Sequence, residues 1–166
     1  MTALNSGLLS ELKTNSINHI SKNSINYVKL HGSYGWMSSK GTNSYVIGKE
    51  KEQQVADEPL LSWYFDIFKN ELSKPNRKLF LIGYAFRDQH INEVFVDSIK
   101  KSGLKLFVIS PSEQSEFISN LNSVEYGDII MEALAGYFPY TLLDIFPKDQ
   151  SESHAWKEIL ESYFVS

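Results

Sequence analysis

The sequence predicts an α/β fold in which a parallel sheet of about four strands is flanked by helices. Two short apolar runs, Lys78–Ile82 (KLFLI) and Leu104–Ile109 (LKLFVI), are typical of strands that are buried on both faces. The segment between them, Gln89–Ser102, carries apolar residues at helical spacing. Residues 78–121 therefore alternate strand, helix, strand and helix, which indicates parallel neighbouring strands joined by a right-handed crossover.

The overall composition is that of a single globular domain. The chain has 166 residues, of which 42% are hydrophobic and 22% charged, so one domain over 1–166 is expected. Within it we expect an N-terminal helix in 1–24, a βα core in 25–121 and C-terminal helices in 122–166.

Further elements are predicted on both sides of the first core strand. Capping residues and periodicity predict a helix over Ser6–Lys22, a strand over Ile25–Leu30 (INYVKL), a glycine-rich loop over His31–Trp36, a short strand over Ser44–Ile47 and a helix over Glu58–Leu72. Downstream, Asp88 is expected to cap the helix Gln89–Ser102 and Gly103 to end it. The string Ser110-Pro111-Ser112-Glu113 matches a capping box, and helices are expected over Tyr126–Leu134 and His154–Phe164.

The net charge and the residue types in the sequence argue against several functions. The formal net charge of −4 argues against a role that depends on neutralising nucleic-acid phosphates. The chain has no cysteine, which excludes disulfides, thiol nucleophiles and cysteine-ligated zinc, and suits a cytoplasmic location. No histidine pair or acidic cluster has metal-ligand spacing, so no metal is expected. No apolar run reaches the roughly 18 residues of a membrane span, and no secretory signal is present.

Three loops follow the predicted strands, over 31–36, 83–90 and 110–112. Ligands of open α/β sheets bind beyond the carboxyl ends of the strands, so parallel neighbours would bring these loops to one crevice. Gly83 would let backbone N–H groups approach a phosphate or ribose. The alternative for this loop is a tight turn that only leads into the helix capped by Asp88.

Histidine is the candidate for acid–base chemistry. His31 follows a predicted strand and precedes a glycine, which leaves room for a ligand. The alternative is a loop histidine that donates to a backbone carbonyl. His90 falls in the first turn of a helix, where the dipole disfavours a cation, so a neutral structural role is expected.

Two segments, Lys29–Trp36 (KLHGSYGW) and Leu81–Asn92 (LIGYAFRDQHIN), together resemble the sirtuin-like domain of bacterial proteins, many of them NAD hydrolases of anti-phage defence. The resemblance covers residues 25–150 and implies a Rossmann-like sheet that binds NAD or a similar ADP-ribose-containing small molecule. By position in the family's motifs, the catalytic residue would be His31. The cofactor-binding residues would be Gly32, Ser33, Gly83, Tyr84, Ala85, Asp88 and Ser110, with Pro111 beside the last.

The chain departs from the family in three ways. Ala85 stands where serine is usual, which removes a hydroxyl worth about 1 kcal/mol of cofactor binding if that hydroxyl is used. The zinc-binding cysteines of deacetylase sirtuins are absent, as they are in the defence-type members. The family's N-terminal half, with its glycine-rich phosphate loop and a catalytic Thr-Asn segment, has no counterpart, so the resemblance is to the C-terminal half of the domain.

The resemblance therefore implies a hydrolase that converts NAD⁺ to ADP-ribose and nicotinamide, or an inactive or incomplete fragment of one. An upstream protein half or a second copy of the chain would then complete the site. The alternative from another class is a non-catalytic nucleotide-binding or protein-interaction module. A protein deacetylase ranks last because nothing in the sequence suggests a peptide cleft.

Overall fold

The computed structural model describes residues 27–38, 43–48, 50–149 and 153–165. The helix expected over Ser6–Lys22 lies outside these residues. The chain divides into two compact units, with the boundary between Asn70 and Glu71.

The first unit contains an antiparallel pair of strands, β1 (Gly32–Met37) and β2 (Asn43–Tyr45). The short strand expected over Ser44–Ile47 is confirmed, with its bounds shifted by one or two residues. The expected strand over Ile25–Leu30 is wrong in its described part, because 27–30 contain no strand.

Strand β1 lies instead where a loop is expected, and its pairing with β2 explains the difference. The backbone N–H of Gly32 donates to the carbonyl of Lys29 at 3.1 Å, which makes a turn immediately before the strand. The carbonyl of His31 accepts from the N–H of Val46 at 2.9 Å, so the antiparallel pairing extends to this residue. His31 therefore lies at the amino end of a strand rather than at the carboxyl end.

Two helices follow in the chain, α1 (Lys51–Asp57) and α2 (Pro59–Leu72). Helix α2 confirms the expectation for this segment, whereas α1 is not anticipated by the sequence pattern. Glu58 separates them with an extended backbone, φ −104° and ψ 110°, because a residue before proline avoids the helical region. Within the first unit, the rings of Trp36 and Tyr64 pack edge to face at 6.2 Å.

The second unit is built on a parallel three-stranded sheet in the order β3-β4-β5, with β3 at Lys78–Ile82, β4 at Lys105–Ile109 and β5 at Leu134–Phe138. The parallel pairing of the two apolar runs is confirmed. Strand β5 is not anticipated, since helix α5 (Gly127–Glu132) ends before Leu134 and the chain then enters the sheet. The other helices of this unit are α3 (Gln89–Ser102), α4 (Gln114–Asn122), α6 (Leu142–Ile145) and α7 (His154–Val165).

Strand β4 forms the centre of the core. Its residues Leu106, Phe107 and Val108 are completely buried. Phe107 packs on one face in a cluster with Ile145 and Ile159, which belong to α6 and α7. Successive residues of a strand point to opposite faces, so burial of all three indicates cover on both sides of the sheet. The architecture is thus α/β with a parallel sheet flanked by helices, consistent with a Rossmann-like fold.

Of the three helix caps predicted from the sequence, one is confirmed and two differ in the structure. Gly103 ends α3 in the left-handed conformation with φ 69°, as expected. Asp88 occupies the N-cap position, but its side chain makes no capping bond; its backbone carbonyl accepts from the N–H of Asn92 at 3.0 Å. The capping box at 110–113 is wrong, because the N–H of Ser110 donates to Phe138 and α4 begins only at Gln114.

Candidate functional site

A cavity of about 390 Å³ lies at the carboxyl ends of β3 and β4 in the second unit. Its walls come from the two loops that follow these strands and from the segment around the end of α4. The lining residues after β3 are Gly83, Tyr84, Ala85, Phe86 and Arg87, and those after β4 are Ser110, Pro111 and Ser112. Two of the three loops expected to converge therefore do so.

Gly83 begins the first loop and keeps it open toward the cavity. It has a positive φ of 64°, a conformation that glycine adopts without steric cost. Its N–H donates to the carbonyl of Ile109 at 3.0 Å, which extends the ladder between β3 and β4 by one residue. No heavy atom lies within 4 Å of the position that a Cβ would occupy, so the space beside this backbone is available to a ligand.

The next residues of the first loop are held by a buried amide. Asn92 on α3 is only 3% exposed, and its side-chain N–H donates to the carbonyl of Phe86 at 2.8 Å. Its side-chain oxygen accepts from the hydroxyl of Tyr84 at 3.0 Å. One side chain thus satisfies two groups of the loop that lines the cavity.

Phe86 takes an unusual backbone conformation within this loop. Its φ is 56°, although a side chain larger than that of glycine normally disfavours this region by about 1 kcal/mol or more. The ring is 2% exposed and packs edge to face on Tyr84, Phe95 and Phe117. This burial and the hydrogen bond from Asn92 offset the backbone strain and fix the path of the loop.

The second loop is anchored by β5. The N–H of Ser110 donates to the carbonyl of Phe138 at 3.1 Å, and the hydroxyl of Tyr137 donates to the carbonyl of Ser112 at 2.5 Å. The ring of Tyr137 stacks on Phe117 with 4.5 Å between centroids. Burial is the main cause that raises the pKa of Tyr137 above its ordinary value, so the hydroxyl stays protonated and donates.

One cation, Arg87, is among the residues that line the cavity. Arg87 is exposed at the wall, and none of the carboxylates in the described parts of the chain forms an ion pair with it. No aspartate, glutamate or histidine is among the lining residues. Burial, followed by the charge of Asp88, raises the pKa of Tyr84 far above its ordinary value, so this phenol is neutral.

The residues that match the first motif of the sequence belong to the other unit. His31 is half-buried and lies next to Gly32, which has a positive φ of 71°. The hydroxyl of Ser33 accepts a hydrogen bond of 2.8 Å from the ammonium group of Lys29. The same ammonium lies 5.5 Å from the ring centroid of Trp36, a cation–π distance.

The structure thus brings together half of the predicted site residues. Gly83, Tyr84, Ala85 and Ser110 line one cavity, and Pro111 lies with them. Asp88 is not among the lining residues, but its backbone carbonyl accepts a hydrogen bond from the hydroxyl of Tyr84 at 3.3 Å. Gly32, Ser33 and His31 belong to the first unit, on β1 and in the turn before it.

Three residues of this site are missed by sequence reasoning. Arg87 is the only cation of the loop 83–88, and a cation directly after a strand and a glycine is a signal that was present in the sequence. Asn92 is a polar residue among the apolar positions of an amphipathic helix, which indicates a buried hydrogen-bonding role. The contribution of Tyr137 has no sequence signal, because strand β5 itself is not anticipated.

The described residues provide neither a cluster of metal ligands nor a membrane-spanning helix. Across the described ranges, no group of three or more histidine, aspartate or glutamate residues is placed to hold a metal ion. None of the helices in the described part of the chain is long and apolar enough to cross a membrane.

The cavity lies at the carboxyl ends of two parallel strands, one of which is followed by a glycine turn, and ligands of open α/β sheets bind in this position. Comparison with family models identifies the family: the SIR2-like domain matches residues 4–127, and the chain belongs to it. SIR2-like domains generally bind NAD. Comparisons with curated proteins and with solved structures found no match.

Proposed function

We propose that this chain binds NAD through the cavity at the tips of β3 and β4 and is related in activity to NAD glycohydrolases. The observation that carries the proposal is the convergence of Gly83–Arg87 and Ser110–Ser112 on one cavity in a SIR2-like chain. The cavity volume of about 390 Å³ is at the lower end of the range of small-molecule sites, which suits the ADP-ribose part of the dinucleotide.

The residues that are present fit this role by their chemistry. Gly83 offers open backbone at a strand tip, and the hydroxyls of Ser110 and Ser112 and the guanidinium of Arg87 are groups that hold ribose and phosphate oxygens. Ala85 supplies no hydroxyl, so we expect the affinity to be modest. These groups bind and orient the nucleotide.

The reaction that we propose is hydrolysis at the nicotinamide end. The bond between the nicotinamide nitrogen and ribose C1′ breaks, the oxygen of a water molecule bonds to C1′, and nicotinamide leaves as a neutral molecule. His31 is the proposed base that accepts the proton of the attacking water, since a neutral imidazole can do so near pH 7. The products are ADP-ribose, nicotinamide and one proton.

The sequence contains no match to a dinucleotide-binding fingerprint or a P-loop, the glycine-rich motifs that bind a pyrophosphate. We therefore propose that a further protein segment or a second copy of the chain supplies this loop, and that the chain alone turns over NAD slowly. The cellular setting that we propose is anti-phage defence in the cytoplasm, as for the related NAD hydrolases.

Release of nicotinamide from NAD by the purified chain, together with calorimetry of ADP-ribose binding, tests the proposal. We expect ADP-ribose to bind, nicotinamide release to be slow, and His31→Ala to abolish the release without abolishing the binding. His154→Ala is the matched control, because this exposed histidine lies at the start of α7. Absence of NAD and ADP-ribose binding would refute the proposal, and rapid turnover by the chain alone would refute the need for another segment.

One observation favours a second candidate function, a non-catalytic nucleotide-binding module. The residues that line the cavity can form hydrogen bonds to a nucleotide, but they include no group suited to acid–base catalysis. The two ionisable side chains of the lining are Tyr84, a neutral phenol, and Arg87, a cation. Binding of ADP-ribose with no nicotinamide release under any condition, and no effect of His31→Ala, would favour this candidate.

A further inference from the structure

We propose that the cavity selects an adenosine ribose that carries a phosphate monoester, as NADP does, and that Arg87 is the residue that makes the selection. This inference rests on the proposed function, in that the adenosine part of a dinucleotide occupies the cavity. It goes beyond that function by naming which nucleotide is preferred and why.

The chemistry of the cavity wall favours a phosphate group over an unmodified ribose. In dinucleotide sites of this architecture, an unmodified ribose is usually held by a carboxylate that accepts from its hydroxyl, and a phosphorylated ribose by an arginine. The residues that line this cavity include no carboxylate. They include Arg87 and, on the neighbouring strand tip, the hydroxyl residues Ser110 and Ser112. This is the set of groups that receives phosphate oxygens.

Arg87 differs from the other arginine of the chain in its ion pairing. Of the two arginines in the sequence, Arg77 is engaged with the carboxylate of Glu71 at 3.1 Å. Arg87 has no such partner among the described carboxylates, and it is exposed at the cavity wall. A guanidinium can bind a phosphate through two parallel hydrogen bonds, and here a ligand does not have to displace an ion pair first.

The backbone that precedes Arg87 is held by packing and by a hydrogen bond. The preceding residue, Phe86, is buried and its carbonyl accepts from Asn92, so the backbone that carries Arg87 is held in place. Because this backbone is already fixed, binding of a ligand to Arg87 costs side-chain entropy but little further backbone entropy. The whole chain has a net charge of −4, so a general electrostatic attraction cannot produce a preference for the more anionic nucleotide. Such a preference has to be local.

The experiment is calorimetric titration of the full chain with NADP and with NAD. We expect NADP to bind about tenfold more tightly than NAD, the gain of one charge-assisted contact. Arg87→Gln should bring the ratio of the two affinities close to one. Arg77→Gln is the matched control: it removes the same charge outside the cavity and should leave the ratio unchanged. Circular dichroism of both variants verifies that they are folded.

Two further probes identify the position of the phosphate. Adenosine 2′,5′-bisphosphate carries the ribose phosphate of NADP and adenosine 3′,5′-bisphosphate that of coenzyme A, so the tighter of the two shows which class is selected. Equal affinity for NADP and NAD, or a preference that survives Arg87→Gln, would overturn the inference while the proposed function stands. If none of the four nucleotides binds, both are overturned.

Discussion

The side-chain amide of Asn92 donates a hydrogen bond of 2.8 Å to the backbone carbonyl of Phe86. This bond joins the first turns of α3 to the loop that lines the cavity. The same side chain accepts from the hydroxyl of Tyr84, so the conformation of three consecutive loop residues depends on one buried amide. A buried polar group in a helix therefore acts on the shape of the cavity.

The first prediction concerns this amide. Asn92→Ala removes both hydrogen bonds and leaves the carbonyl of Phe86 without its donor, so we expect the free energy of unfolding to fall by about 2 kcal/mol. Urea denaturation measures it. Asn122→Ala is the matched control, because Asn122 is exposed at the end of α4 and should change stability by less than about 0.5 kcal/mol. Equal effects of the two substitutions would contradict the role of Asn92.

The second prediction compares two glycines. A Cβ at Gly127 would lie 2.0 Å from the carbonyl oxygen of Leu121, a clash with backbone that cannot move easily. Gly127→Ala is therefore expected to lower the free energy of unfolding by about 3 kcal/mol or more. Gly83→Ala meets no atom within 4 Å, and only its φ of 64° opposes it, at a cost of about 1–2 kcal/mol. Thermal denaturation of the two variants should rank them in this order, and the reverse order would be inconsistent with the close approach at Gly127.

The third prediction concerns a buried hydroxyl in α3. The Oγ of Ser98 is buried and has no hydrogen-bond partner, so removal of this group relieves a desolvation cost. Ser98→Ala should raise the free energy of unfolding by about 1 kcal/mol. Ser102→Ala, in the same helix, should lower it instead, because its hydroxyl donates to the carbonyl of Ser98 at 2.7 Å. A destabilised Ser98→Ala variant in urea denaturation would show that the hydroxyl is satisfied.

The fourth prediction concerns acid. The hydroxyl of Thr141, and then its backbone N–H, donate to Asp144 and hold the pKa of this carboxyl below its ordinary value. A lowered folded pKa stabilises the protein above the ordinary aspartate pKa of about 3.9, and this contribution is lost as pH falls through the folded value. The wild-type chain should therefore lose more stability than Asp144→Asn between about pH 6 and pH 3. If the two proteins lose the same stability between these pH values, the hydrogen bonds from Thr141 to Asp144 at the start of α6 do not hold its pKa down.

Local sequence pattern accounts for the centre of the second unit. Strands β3 and β4 are indicated by their own apolar runs, and helix α3 by the helical spacing of its own apolar residues. Gly103 ends α3 because glycine readily adopts the left-handed conformation. The meeting of Gly83 and Ser110 at one cavity then follows from parallel pairing. These parts of the fold and of the candidate site were therefore predictable.

The remaining features depend on partners that are distant in the sequence. Strand β5 contains Gly136, which no strand pattern favours, yet a Cβ there would lie 2.9 Å from a ring carbon of Phe107. The N–H of Ser110 donates to the carbonyl of Phe138 in this strand, so it is not available for the capping box predicted at 110–113. In the first unit, pairing with β2 places strand β1 at Gly32–Met37 rather than over the predicted Ile25–Leu30, so His31 precedes the strand.

The central claim is that the nucleotide occupies the cavity between Gly83 and Ser112. Calorimetry of ADP-ribose with the variant Ala85→Trp tests it most directly, because Ala85 is exposed in the cavity wall and an indole would fill that space. Ser115→Trp, exposed on α4 and outside the cavity lining, is the control. The account predicts that Ala85→Trp abolishes ADP-ribose binding while Ser115→Trp binds like the wild-type chain. Unchanged binding by the Ala85→Trp variant would contradict it.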